Sequence, residues 1–551
     1  MILARLALLS LLVATPAVVT ADEPPTFERD VKAVLTKRCT VCHNARKMSD
    51  LDVSGGLALD SFDAAMRGTK KHKVIEPGKV DASELLKRLD STDEDQLMPL
   101  GEDPLPEDQR ALIRQWVEAG APRGEPKEPA SIAATAPKIA RRVVRTLDVV
   151  LTTDAKIPKG IEGFGPGGPL AVALKVGPLP AVTALAFRGD GRLLAVGTLG
   201  EVVLWDLVEA TPAAVLTDVP GSVHALAFSS DGRRLAVGAG LPARSGTLRI
   251  YTVPDGTLEQ DLEGHTDVIY GLAFRPDGAQ LVSASFDKTV RFWDLTTGKA
   301  AGEFTGHSDF VYDVAYANDG KSVLSVSKDR SVKRLDPATS HAVRTFSDHN
   351  DEVLALAVRP DGTGFVSAGQ EPQLRWWESD GDKPTKKVSG HGGPVHQLAF
   401  SGDGALLVSA SGDKSVRLWD GKSGVFKKVL PGPTDWQYAV AISQDGRLAA
   451  AGGWDGLVCV WSVDKAALLA TLIQPPGESP GQAEWLAATP TGYLTASPGL
   501  LPLLRWRVDG ADLSGDAPST AFLRPDQVAH SLNGEPTAAL ESVLKPKDAP
   551  Q

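Results

Sequence analysis

The sequence predicts a multidomain chain of two unlike parts, a small all-α domain followed by a much larger all-β propeller. Three observations carry this. Near the N-terminus, Cys39-Thr40-Val41-Cys42-His43 sits among apolar residues at helical spacing. Further on, Trp293, Trp377, Trp419 and Trp461 close alternating apolar strands on a 42-residue grid, with Leu335 at the vacant node. Asp-Gly pairs starting at 190, 231, 277, 319, 361, 403 and 445 keep the same rhythm, each marking a tight hairpin.

At 551 residues, with 42% hydrophobic and 23% charged content, the chain has an ordinary soluble composition and enough length for two or three domains. A formal charge of -11 argues against nucleic-acid binding, since no basic excess exists to neutralise phosphates. The first 21 residues carry one basic residue, Arg5, an apolar run from Leu6 to Ala14 and small residues ending in Val19-Thr20-Ala21. This reads as a secretory signal cleaved after Ala21. The run is short for a membrane span and is followed by Pro16, and no other stretch is apolar enough to cross a bilayer. The mature chain is therefore expected on the periplasmic or cell-surface side of the cytoplasmic membrane.

In an exported protein, CxxCH reads as a c-type haem attachment site: Cys39 and Cys42 form thioethers to one covalent haem c and His43 reaches the iron. A redox pair or half a zinc site is the competing reading, but no second cysteine pair exists. The third cysteine, Cys459, falls in an apolar strand pattern and reads as an inert buried thiol. For the sixth iron position the candidate is Met98, held extended by Pro99, with His72 as the alternative. Met48 lies too close to the attachment turn, and Met66 reads as core. The run Lys70-Lys71-His72-Lys73 is a solvated loop or a docking spot for an acidic redox partner.

The haem domain spans 24–123. Thr26 is placed to cap a helix burying Phe27, Val31, Val34 and Leu35. Asp81 and Glu84 resemble a capping box ahead of Leu85, Leu86 and Leu89. Pro106 opens a helix with Leu112, Ile113, Trp116 and Val117 inward, stopped by Gly120 and Pro122. So few helices make a thin core, and the haem-free form should be poorly folded. The segments CTVCHN, GGLALDS, LMPL and PLPEDQRALIRQWVEAGAP resemble the planctomycete-type cytochrome c domain. The resemblance implies that Cys39, Cys42 and His43 hold the haem and that Met98 falls on the family's Met-Pro-Pro segment. Leu100 departs from it, standing where the second proline is usual.

A linker rich in Pro, Ala, Glu and Lys occupies 124–165, and the repeats fill 166–508. Gly264-His265 with Trp293-Asp294, Gly306-His307, and Gly390-His391 with Trp419-Asp420 recur at the period of a WD40 propeller, which these repeats resemble. The family's His, Ser, Asp and Trp hydrogen-bond set maps onto His391, Ser409, Asp413 and Trp419, so His265, His307, His349 and His391 are structural. Strand accounting favours eight blades over seven, with Leu170 to Val176 supplying the last strand. In the alternative, the degenerate unit from Trp485 to Trp506 caps a seven-bladed ring. Residues 509–551 form a polar tail with two short helices.

One phase lies seven residues before each hairpin node: Thr183, His224, Tyr270, Tyr312, Leu354, His396, Tyr438 and Glu484. With Asp267, Asp309, Asp351 and Asp435 on adjoining loops, these residues are candidates for a propeller rim that grips a protein or peptide ligand; the plainer alternative is strand filling.

The expected function is an exported monohaem cytochrome passing single electrons to a redox partner protein, with the propeller as docking platform. Six ligands leave the iron no open site, so transfer rather than catalysis is expected. One alternative is a non-enzymatic scaffold or haem-based redox sensor. A second is an oxidoreductase with a further cofactor in the propeller, which rests on fold analogy alone.

Overall fold

A computed structural model of the chain describes residues 24–32, 34–35, 59, 61–69, 73–91, 98, 105–124, 148–159, 161, 164, 167–476, 483–513, 517–539 and 543–544. Two compact units divide it, 1–138 and 139–551.

The first unit begins with a wide helical turn, Phe27–Val31, whose Val31 N–H reaches the Thr26 carbonyl five residues back. The expected Thr26 cap is not made. Its backbone N–H donates to Asp30 at 2.8 Å, so the carboxylate closes the turn instead. Helix α1 (Phe62–Arg67) does have a capping hydroxyl, Ser61, which accepts the Ala64 N–H, and it ends where Gly68 turns left-handed. Helix α2 (Glu84–Leu89) buries Leu85, Leu86 and Leu89 as expected. Its capping box is absent: Asp81 lies in a 3-10 turn, and the buried Ser83 hydroxyl serves Lys79 and Glu76. Helix α3 (Glu107–Glu118) follows Pro106 and buries Ile113, Trp116 and Val117. Trp116 donates to the Pro122 carbonyl at 3.0 Å, tying down the chain after the helix. These elements share one apolar core, in which the Phe27 ring meets Phe62 at 5.6 Å and Trp116 at 5.7 Å.

Among its described residues the second unit contains seven antiparallel four-stranded meanders, over 184–216, 222–262, 269–304, 311–346, 353–389, 395–430 and 437–473. In all seven Asp-Gly turns the glycine adopts φ between +66° and +72°. There the aspartate accepts the N–H two residues on, at 2.9 to 3.0 Å. The seven first strands neighbour one another around a ring, and the seventh adjoins the first. At that joint Val182 donates to the Gly453 carbonyl at 2.9 Å, and a Cβ on Gly452 would meet Val182 at 2.6 Å.

Among the described residues seven meanders share this ring, whereas strand accounting favoured eight blades with seven as the alternative. Leu486–Ala488 and Leu494–Ala496 extend the seventh sheet outward to six strands instead of starting a new blade. Pro490, Pro498 and Pro502 remove ladder donors where a blade needs continuous strands. Gly168–Lys175 does pair with the expected partner, Leu504–Val508, placing Val172 opposite Trp506. The resulting sheet, completed by Asp148–Ile157 and Ala511–Asp512, is a cap rather than a blade.

Part of the expected linker, Asp148–Ile157, is a strand of the cap. Two helices follow residue 509, α4 (Ala517–Phe522) and α5 (Pro525–Leu532). Phe522, Val528 and Leu532 are buried in one core with Trp205 of blade one and Val460 of blade seven. Blades one and seven are each built from consecutive strands and exchange none, so this shared apolar core seals the ring.

Candidate functional site

Of the donors read from the sequence, Cys39, Cys42, His43 and the alternative His72 lie outside the described residues, as does Met48. Met98 is described. It is half-buried and packs against the apolar core of the first unit alongside Met66. Its N–H donates to the Arg88 carbonyl at 3.0 Å, which ties the segment to the end of α2. The residue set fits a covalently held haem: two thiols three residues apart suit the porphyrin, and an imidazole and a soft thioether suit its iron, in one small domain with an apolar wall. Among the described residues no group of three or more His, Cys, Asp or Glu could hold a metal ion.

The propeller histidines sit where the repeat places them. His265 Nδ1 meets Asp287 at 2.8 Å and its Nε2 meets Ser283 at 2.6 Å, while Trp293 donates to the same serine at 2.8 Å. His391, Asp413, Ser409 and Trp419 repeat the arrangement, and His307, Asp329 and Ser325 repeat it with Leu335 in the tryptophan place. Burial alone would raise the Asp287 carboxyl, but hydrogen bonds from His265 and Thr289 outweigh it and hold the group well below the usual carboxylate range. Blade five departs. Glu371 replaces the turn aspartate, and Arg375, 1% exposed, is held between Asp348 at 2.9 Å and Glu371 at 2.7 Å. Cys459 is buried, which pushes its thiol up to about 12 and leaves it inert.

The proposed rim residues His224, Tyr270, Tyr312, Leu354, His396 and Tyr438 all lie on innermost strands, with Thr183 just ahead of the first. Glu484 does not. It accepts a hydrogen bond from Ser497, beside the outer strand of blade one. Between blades two and four the rim is a continuous stack: His224 on Tyr270 at 4.2 Å, Tyr270 on Phe286 at 4.0 Å, Phe286 on Phe310 at 4.4 Å. Tyr312 stands edge-on to it and donates to Glu352 at 2.8 Å. The ring faces are thus spent on one another, which favours strand filling there. Burial lowers His224 to about 4, so its imidazole is neutral. The loop aspartates each take the next residue's N–H, as Asp309 does from Phe310 at 2.9 Å and Asp435 from Trp436 at 2.9 Å.

The sequence reading missed Phe286 and Phe310 in the stack, buried Arg375, and Trp436 and Trp454, which are 50% and 63% exposed. A signal existed for the last pair: Trp436 follows the in-phase Asp435, and Trp454 precedes the in-phase Asp455.

Fold and repeat chemistry together define a β-propeller protein of the WD type, led by a small helical domain with a cytochrome-like donor set. The comparisons agree. Residues 39–100 match the family described as Planctomycete cytochrome C. Six segments, 212–252, 256–294, 298–334, 340–378, 382–420 and 424–462, match the WD domain, G-beta repeat. The two matches agree with the two-part organisation that the sequence predicts. Each matched repeat takes the outer strand of one blade and the first three strands of the next, so blade one's inner strands form without a match of their own. No curated protein matches the chain. Among the described residues, no helix is long and apolar enough to cross a membrane.

Proposed function

We propose that the chain is an exported monohaem c-type cytochrome that passes single electrons to a redox partner protein docked on its propeller. The observation that carries this reading is the cytochrome match itself, which begins on Cys39 and encloses Cys42, His43 and Met98. Cys39 and Cys42 anchor the haem, and His43 and Met98 complete the coordination of the iron. Bound haem supplies a one-electron ferric/ferrous couple. The protein's part is to exclude water with the apolar wall around Phe27, Leu89 and Trp116, and to fix the thioether through the Met98–Arg88 backbone bond. Export is supported by the signal-like run over the first 21 residues, because covalent haem attachment needs the outer side of the membrane.

The test is the absorption spectrum of protein matured in a host that attaches haem outside the cytoplasm. Wild type should show one haem per chain and a long-wavelength thioether-to-ferric-iron band that Met98→Ala abolishes. An unchanged band would hand the position to His72 or another group. Colourless protein would end the electron-carrier reading.

A further inference from the structure

Two loops meet at the same point in blades three to seven, joined by one backbone hydrogen bond: the loop entering the innermost strand and the turn between the second and third strands. In blade four these carry Phe310 and Lys328, joined by the Lys328 N–H to Phe310 carbonyl bond at 2.9 Å. The ammonium of Lys328 lies 5.1 Å from the centre of the Phe310 ring, so the chain covers this aromatic face with its own cation. In blade seven the same two places hold Trp436 and Trp454, joined by the corresponding bond, also 2.9 Å. The second tryptophan stands where the lysine would be. Both indoles are half or more exposed, and among the described residues neither pairs with another ring or with a cation.

The charge around them is acidic. Asp435 is offset by Lys414 at 3.2 Å. Asp455 accepts a hydrogen bond from Thr434 at 2.7 Å and has no basic partner among the described residues. The chain as a whole carries -11. An aromatic face lacking the cation that its sister position has, beside an unopposed carboxylate, suits a positive group.

We propose that Trp436, Trp454 and Asp455 form a docking patch on blade seven for a basic segment of a partner protein, whose Arg or Lys side chain lies over an indole face and against the Asp455 carboxylate. This deepens the docking half of the function proposed above by fixing the place and the chemistry. It also moves the binding surface away from the tyrosine rim of blades two to four, whose faces are already covered.

The test is a fluorescence-anisotropy titration of the full-length protein with a labelled Gly-Arg-Gly-Arg-Gly-Arg peptide and with its glutamate counterpart. The arginine peptide should bind and the glutamate peptide should not. Trp436→Ala and Trp454→Ala should each weaken binding roughly three- to thirtyfold, the range expected for a cation over an indole. Asp455→Asn should weaken it as well, and Lys414→Ala should strengthen it by freeing Asp435. Phe426→Ala, an exposed aromatic on the outer strand of blade six, should change nothing. Equal binding of both peptides, or tryptophan variants that bind like wild type while melting like it, would overturn the patch. The haem spectrum of the same samples judges the electron-carrier reading separately, since it does not depend on either tryptophan.

Discussion

Arg375 donates from Nη1 to Nδ1 of His349 at 2.9 Å, and this one contact reverses the polarity of the hydrogen-bond set in blade five. In blades three, four and six, Nδ1 faces an aspartate and so carries the proton, leaving Nε2 to accept from the serine. A guanidinium can only donate, so His349 must accept at Nδ1 and donate from Nε2 to Ser367, at 2.8 Å. Burial, then the neighbouring Arg375 charge, lowers His349 to about 4, so the ring stays neutral. Arg375→Leu should leave Asp348 and Glu371 short of a cation and cost about 2–3 kcal/mol in urea unfolding. That lies below the ~3–5 kcal/mol for breaking a fully buried pair, because the two carboxylate side chains keep 24% and 22% exposure and Lys387 remains on Asp348 at 2.7 Å. The His349 titration followed by NMR should move up toward the ordinary imidazole value. A pKa still near 4 would show that burial alone sets it.

His224 gives the chain a dependence on pH whose sign follows from burial. Its folded pKa of about 4 lies below the unfolded imidazole value of about 6.5. Between those limits the unfolded chain binds the proton first, so stability falls as pH drops from about 6.5 to about 4 and levels off below. His224→Phe keeps a ring against Tyr270 and removes the titration. Thermal unfolding across this window should show a slope shallower than wild type by up to ~1.4 kcal/mol per pH unit, the value for one proton. Unchanged slopes would mean that His224 is not neutral in the folded chain.

Much of this was legible because it repeats. The in-phase Asp-Gly pairs, the histidines of the hydrogen-bond sets and the buried tryptophans recur seven, four and five times, and a repeated residue reports the blade rather than a local accident. Legibility failed where the repeat was interrupted. Leu170 to Val176 finds the strand expected of it, yet whether that pair makes a blade or a cap depends on whether the first blade closes on the seventh. At that closure Val182 packs against Gly452 and bonds Gly453, three residues with no marking in the sequence. Exposure is equally silent: Trp436 and Trp377 are the same residue type, and only packing distinguishes a free indole from a buried one. In the haem domain the inward faces of α2 and α3 were readable from spacing, but the caps were not, because Asp30 and Ser83 captured donors and acceptors that the local pattern gave to Thr26, Asp81 and Glu84.

The two units should melt separately. The first has one modest apolar core, which a bound haem would enlarge, and the propeller has cores of its own. A Cys39→Ser/Cys42→Ser variant matured under the same conditions should lose the haem and, with it, the calorimetric transition of the first unit. The propeller transition should stay in place. A shift of both transitions would mean that the units stabilise one another.

Every blade is a consecutive meander, so no shared strand holds blade one to blade seven, and the joint depends on a common apolar core. Phe522 lies near its centre, fully buried, with ring centres at 5.2 Å from Trp506, 5.9 Å from Phe164 and 6.2 Å from Tyr493. Phe522→Ala should cost about 3–5 kcal/mol, the usual loss for a buried phenylalanine. Because the cavity opens in the core that blades one and seven share, hydrogen exchange should quicken first in the strands Ala184–Phe187 and Gln437–Ile442, while blade four, on the far side of the ring, keeps its protection. Uniform loss of protection around the ring would show that the blades hold together without the cap, and that α4 only covers a ring already closed.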